Sequence, residues 1–118
     1  MSLENEAKKL AATYARWMRK PDDALFGKEG RGVVMVMYDR LKQAKSFDEM
    51  KQILDVDQYS SMMDKQTYND MKRFVTELIS KASQMGQEDA MKFVLEAFRY
   101  FQISLFTKID NINKGIWG

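Results

Sequence analysis

The chain has 118 residues, 45% of them apolar and 31% charged, with a formal net charge of +2. That length allows one hydrophobic core and no second, and the ordinary balance of apolar and charged residues excludes an intrinsically disordered chain. With no Cys there is neither a disulfide framework nor a thiolate metal site.

Pro occurs once and Gly six times, so breaks in regular structure are few and long helices are favoured over many short strands. Ten Met residues point the same way, since Met is a good helix former and fills irregular gaps in cores. The fold class expected is all-α: a compact bundle of four to five helices forming one domain over residues 1–118.

The first helix is predicted from Leu3 to Arg19. Leu3, Ala7, Leu10, Tyr14, Trp17 and Met18 recur at steps of three and four and so share one side. Ser2 is its N-cap and Pro21 ends it, because the residue before a proline is pushed out of helical geometry. The stretch from Pro21 to Gly32 reads as a loop, Gly-rich and basic, with Leu25 and Phe26 turned inward. Val33 to Tyr38 has the β-branched content of a buried strand. Carried on through Ala44, it places Val34, Met37, Leu41 and Ala44 at helical spacing, and a lone strand would have no pairing partner.

Ser46-Phe-Asp-Glu49 forms a capping box opening a short helix that buries Phe47, Met50, Ile53 and Leu54. A turn-rich stretch over 55–64 brings Met62 and Met63 to the core. A long helix follows from about Asp64 to Met85, stopped by Gly86 acting as a left-handed C-cap. The last helix spans Gln87 to Asn113, with Glu88 and Asp89 at the positive end of its dipole. Val94, Phe98, Phe101, Leu105, Ile109 and Ile112 form its inner stripe, while Phe93, Leu95, Tyr100, Ile103 and Phe106 make much of its other surface apolar. Such a helix is either central or covered by a partner. Tyr100, Ile103, Phe106 and the tail residue Trp117 are therefore the candidate partner interface.

Charge is unevenly spread. From Arg16 to Lys45 there are eight basic and four acidic residues; from Ser46 to Asp70 there are two basic and six acidic. This suits a polyanion partner, head-to-tail self-association, or simply scattered solvated faces. The candidate nucleic-acid-binding set is Arg16, Arg19, Lys20, Lys28, Arg31, Arg40, Lys42 and Lys45, with Trp17 and Tyr38 as nearby stacking faces. Gly27 to Gly32 lacks the Gly-Lys-Ser/Thr ending of a phosphate-binding loop, and no strand precedes it.

Without His or Cys, the usual general base and strong nucleophiles are missing. The carboxylate pairs Asp22/Asp23 and Asp55/Asp57 lie beside turns, where acids usually serve as caps. A non-enzymatic chain with no metal and no cofactor is expected. Glu4, Glu6, Lys8 and Lys9 interrupt any signal-peptide pattern, and no apolar run approaches the roughly 20 residues that span a bilayer. A cytoplasmic location without membrane contact is expected.

The closing segment, through Phe93, Leu95, Glu96, Arg99, Tyr100, Phe101 and Gln102, resembles the last helix of the small helical subunits of type III CRISPR effector complexes. The resemblance implies a non-catalytic, RNA-binding antiviral-defence subunit that stacks along a ribonucleoprotein and contacts backbone phosphates through a basic groove. Val33 to Asp39 is similar to a helix of flagellin export chaperones. That likeness fits the alternative of a protein-only adaptor holding a partner helix in an apolar groove.

Overall fold

The computed structural model describes residues 2–115. Among them are six α-helices: α1 (Leu3–Trp17), α2 (Pro21–Leu25), α3 (Val33–Gln43), α4 (Phe47–Ile53), α5 (Lys65–Ala82) and α6 (Gln87–Asn113). A 3₁₀ helix at Val56–Met62 joins α4 to α5. The expected all-α class holds, and no strand occurs among the described residues; Val33–Tyr38 is helical. The short α2 and the 3₁₀ segment are the elements that periodicity did not reveal.

Local chemistry explains most boundaries. Ser2 Oγ accepts from Asn5 N–H at 3.1 Å, capping α1 as expected. Ser46 Oγ accepts from Glu49 N–H at 3.1 Å. The reciprocal bond of this capping box is shifted by one residue, with Glu49 Oε2 accepting from Lys45 N–H.

Two expectations at helix ends are corrected. Pro21 does not merely terminate α1; it is the first residue of α2, where a missing N–H costs nothing and the fixed φ suits the helix. The first five residues of the expected 21–32 loop are therefore helix. Gly86 is not a left-handed C-cap. It is extended (φ −64°, ψ 159°) and serves as the N-cap of α6, while α5 ends at Ala82 rather than Met85.

Gly32 is fixed by packing. Its N–H donates to Leu25 O at 2.7 Å, and a Cβ there would fall 2.2 Å from Ala24 O. Only glycine lets α3 begin this close to α2.

Helix α6 is the central element and touches every other α-helix. It lies alongside α1 in the same direction: Tyr100 meets Glu4 and Lys8 near the start of α1, and Lys108 meets the end of α1. Helix α5 runs antiparallel to α1, pairing Tyr14 with Phe74 and Arg19 with Asp70. Between these three helices Phe74 stacks on Phe101 with ring centroids 4.1 Å apart, and Phe98 lies 5.4 Å from Phe74. Such pairs add to the burial of large apolar area.

Most of α6's apolar surface is covered by the chain itself. Phe93, expected on the outer surface, is fully buried together with Val94, Ala97, Phe98, Phe101 and Leu105. Ile112, expected on the inner stripe, is 46% exposed at the overhanging end of the helix. Trp17, expected on the apolar stripe of α1, is 56% exposed, while Met18 beside it is buried. Phe26, expected to turn inward, is also exposed, whereas Leu25 is buried.

Candidate functional site

The predicted basic set is mostly engaged within the protein. Arg19 donates through Nη2 and its backbone N–H to Asp70, at 3.1 and 3.0 Å. Lys20 pairs with Asp64, and Arg31 with Asp39, which also holds Lys42 at 3.3 Å. Arg40 donates to Gln58 Oε1 at 2.9 Å and to the Tyr59 hydroxyl, which in turn donates to Ile53 O at 2.8 Å. Arg40 thus fastens the 3₁₀ segment to α3 and α4. Of the eight, only Arg19, Lys20, Arg31 and Lys42 pair with an acid among the described residues; Arg40 bonds to neutral groups instead.

Only part of the set converges. Lys20 and Lys28 line one cleft with Asp23 and Asp64, and Lys28 and Arg31 line a second with Glu29; the two clefts share Ser61 and Met62. Arg16, Arg40 and Lys45 line neither. Lys20 holds the Asp64 carboxyl below its usual range by hydrogen bonding and charge, and Asp64 raises the Lys20 ammonium in return. Mutual charge compensation leaves this surface far less positive than the sequence suggests.

The partner-interface candidates separate. Tyr100 is half-buried; its hydroxyl donates to Glu4 Oε1 at 2.6 Å, and Lys8 and Arg99 lie over its ring. Ile103 and Phe106 are exposed on the outer side of α6, and Phe26 packs edge-on against Phe106 with centroids 5.7 Å apart. Trp117 lies outside the described residues.

The carboxylate pairs behave as structural acids. Asp23 accepts from Asp64 N–H at 2.8 Å, and Asp55 accepts from Asp57 N–H at 3.2 Å. Asp57 is held below the usual carboxylate range by the Tyr68 hydroxyl and by Lys72. It faces a shallow cleft of about 490 Å³ with Ser60, Met63, Lys65 and Tyr68. A carboxylate stabilised as the anion, as Asp57 is, is a weak proton acceptor. Among the described residues, no cluster of three or more metal-ligating side chains occurs.

The sequence reading missed two features. Lys108 is buried on the inner side of α6, and its ammonium donates to Arg16 O and Met18 O, both at 2.6 Å, and to Ala15 O at 3.3 Å. These are carbonyls at the end of α1, where the helix dipole is negative. Burial lowers the Lys108 ammonium from its ordinary value, and the nearby Asp70 carboxylate opposes that shift. The available signal was position: Lys108 follows Phe101 and Leu105 at helical spacing on the apolar stripe. The second feature is a cleft of about 480 Å³ where Trp17 and Tyr14 face Asn69, Lys72, Arg73, Thr76 and Glu77. Of the two stacking faces expected, Trp17 and Tyr38, only Trp17 lines this cleft; Lys72 and Arg73 are brought to it from α5.

Comparison with protein-family models, with curated proteins and with solved structures found no match to this chain. No helix among the described residues is long and apolar enough to cross a membrane.

Proposed function

We propose that this chain is a non-catalytic assembly subunit that docks onto protein through the exposed apolar group Phe26, Ile103 and Phe106. The observation that carries this reading is the pairing of Phe26 from the end of α2 with Phe106 on α6, at the surface and beside exposed Ile103. Two elements converge there to present large apolar side chains to solvent, an arrangement typical of interaction surfaces. Aromatic anchors of this kind carry much of the energy of an interface. The lack of His and Cys, and carboxylates held as anions, supports the non-catalytic part.

Affinity capture from the native cell tests the reading. Phe106→Asp should release the co-purifying protein while helicity is retained. An unchanged set of captured proteins would refute docking at this group.

A second reading, contact with nucleic acid, is favoured by the Trp17 cleft rather than by the basic set of the first half. An exposed indole beside Lys72 and Arg73 suits a stacked base with its phosphate on the cations. Binding of a random single strand should then fall steeply with salt and be lost in Trp17→Ala/Arg73→Glu. Absence of binding at low salt would remove this reading.

A further inference from the structure

The outer side of α6 carries a stripe at alternating steps of three and four: Glu96, Arg99, Ile103, Phe106, Asp110 and Asn113. This is the spacing of a helix-pairing seam. Its centre is apolar, with Ile103 48% and Phe106 43% exposed, and its flanks are charged with opposite sign, Arg99 on one side and Asp110 on the other. A stripe with that order is complementary to itself when reversed. Laid antiparallel against a second α6, Ile103 faces Phe106 of the other copy in both halves. In the same register Arg99 faces Asp110 in both halves, and Glu96 faces the neutral Asn113.

Other arrangements lose this match. A parallel, in-register pair sets Arg99 against Arg99 and Asp110 against Asp110, and like charges in contact disfavour association. An antiparallel pair centred on Ile103 sets Glu96 against Asp110. A shift by one heptad sets the apolar centre against charge. One register alone satisfies both the apolar centre and the ionic flanks.

We propose that the occupant of this surface is a second copy of the chain, held by antiparallel α6–α6 pairing with the two-fold axis between Ile103 and Phe106. This rests on the reading of the Phe26, Ile103 and Phe106 group as a docking surface and names its partner. An isologous contact of this kind closes on itself and forms a dimer rather than a fibre. In the monomer Arg99 donates to Glu96 at 3.0 Å and Lys114 pairs with Asp110 at 2.9 Å. These exposed local pairs are weak, so exchange for the pairs across the dimer is easy. One helix face buries less than the 1,200–2,000 Å² typical of stable complexes, so the dimer dissociates in about the micromolar range or weaker.

Sedimentation equilibrium of the purified chain over a concentration series tests this. The wild type should pass from monomer to dimer as concentration rises. Arg99→Asp and Asp110→Arg should each weaken the dimer by about tenfold or more, with circular dichroism unchanged. The double variant Arg99→Asp/Asp110→Arg should restore it. An equimolar mixture of the two single variants should form a heterodimer, because each supplies the charge that the other lacks. A wild type that stays monomeric, or a dimer indifferent to the charge reversals or not restored by the double variant, would overturn the proposal. If the purified chain is monomeric while Phe106→Asp still releases a captured protein, the docking surface stands and only its self-pairing is wrong.

Discussion

The junction of Arg19, Asp70 and Lys108 and the surface pairs Lys20–Asp64 and Arg31–Asp39–Lys42 are made of the same side-chain types, but they sit in different surroundings. Asp70 and Lys108 are 6% and 7% exposed, and both bind backbone groups where α1 ends. Lys20 and Asp64 are each about half exposed, as are Arg31 and Asp39. At the surface, water replaces a lost partner. At the junction Arg19 is half exposed but Asp70 and Lys108 are shielded from it, so loss of either leaves buried carbonyls or a buried N–H without a partner. Whether an ion pair holds a fold together depends on what else loses its partner when one member is removed.

The largest expected effect follows from breaking the buried side. Lys108→Met keeps the stem and removes the ammonium, leaving the carbonyls of Arg16 and Met18 without this donor. A loss of about 2–4 kcal/mol is expected in urea unfolding; a change under about 0.5 kcal/mol would erase the contrast. Asp70→Asn should cost somewhat less, about 1–3 kcal/mol, because the amide oxygen still accepts from Arg19 N–H. The two changes combined should fall short of additivity, since they share one junction.

Alkaline titration sharpens the comparison. Burial lowers the Lys108 ammonium below the ordinary lysine value of 10.5. Between its lowered value and 10.5 the unfolded chain holds a proton that the folded chain has released, so this group makes stability rise with pH there. Relative to Lys108→Met, the wild type should gain stability across that window, and two parallel pH profiles would contradict this.

The smallest effects belong to the surface. Lys20→Gln and Asp64→Asn should leave the unfolding midpoint almost unmoved, more so at high salt. Asp64 is lowered by Lys20, so its slight contribution is present above the ordinary carboxylate value of 3.8 and is lost as pH falls through the lowered one. A marked dependence on Lys20 during acid unfolding would make the two regions alike.

Helices α1, α4, α5 and α6 were legible because apolar residues at steps of three and four, with Ser2 and Ser46 as caps, are local signals. Helix α2 was not, since a proline that breaks a helix can equally open one, and five residues are too few to show a helical period. Gly86 was misread because the sequence allows glycine either as a left-handed stop or as an extended start. The charge pairing was illegible for a different reason. Arg19 and Asp70 lie 51 positions apart, and Lys108 and Arg16 lie 92 apart; sequence statistics within one helix carry no trace of either. The candidate basic face was therefore read as free charge, when much of it is neutralised across the fold.

The parallel placement of α1 and α6 constrains how the chain is made. The most extensive neighbour of α1 is α6, and the carbonyls at the end of α1 receive their donor only from residue 108, 92 positions after Arg16. Closing a loop of that length precedes any reward from the contact. On the ribosome, α1 waits for its main partner until α6 has emerged, and that interval is when a nascent chain is most exposed to aggregation and most in need of chaperone cover.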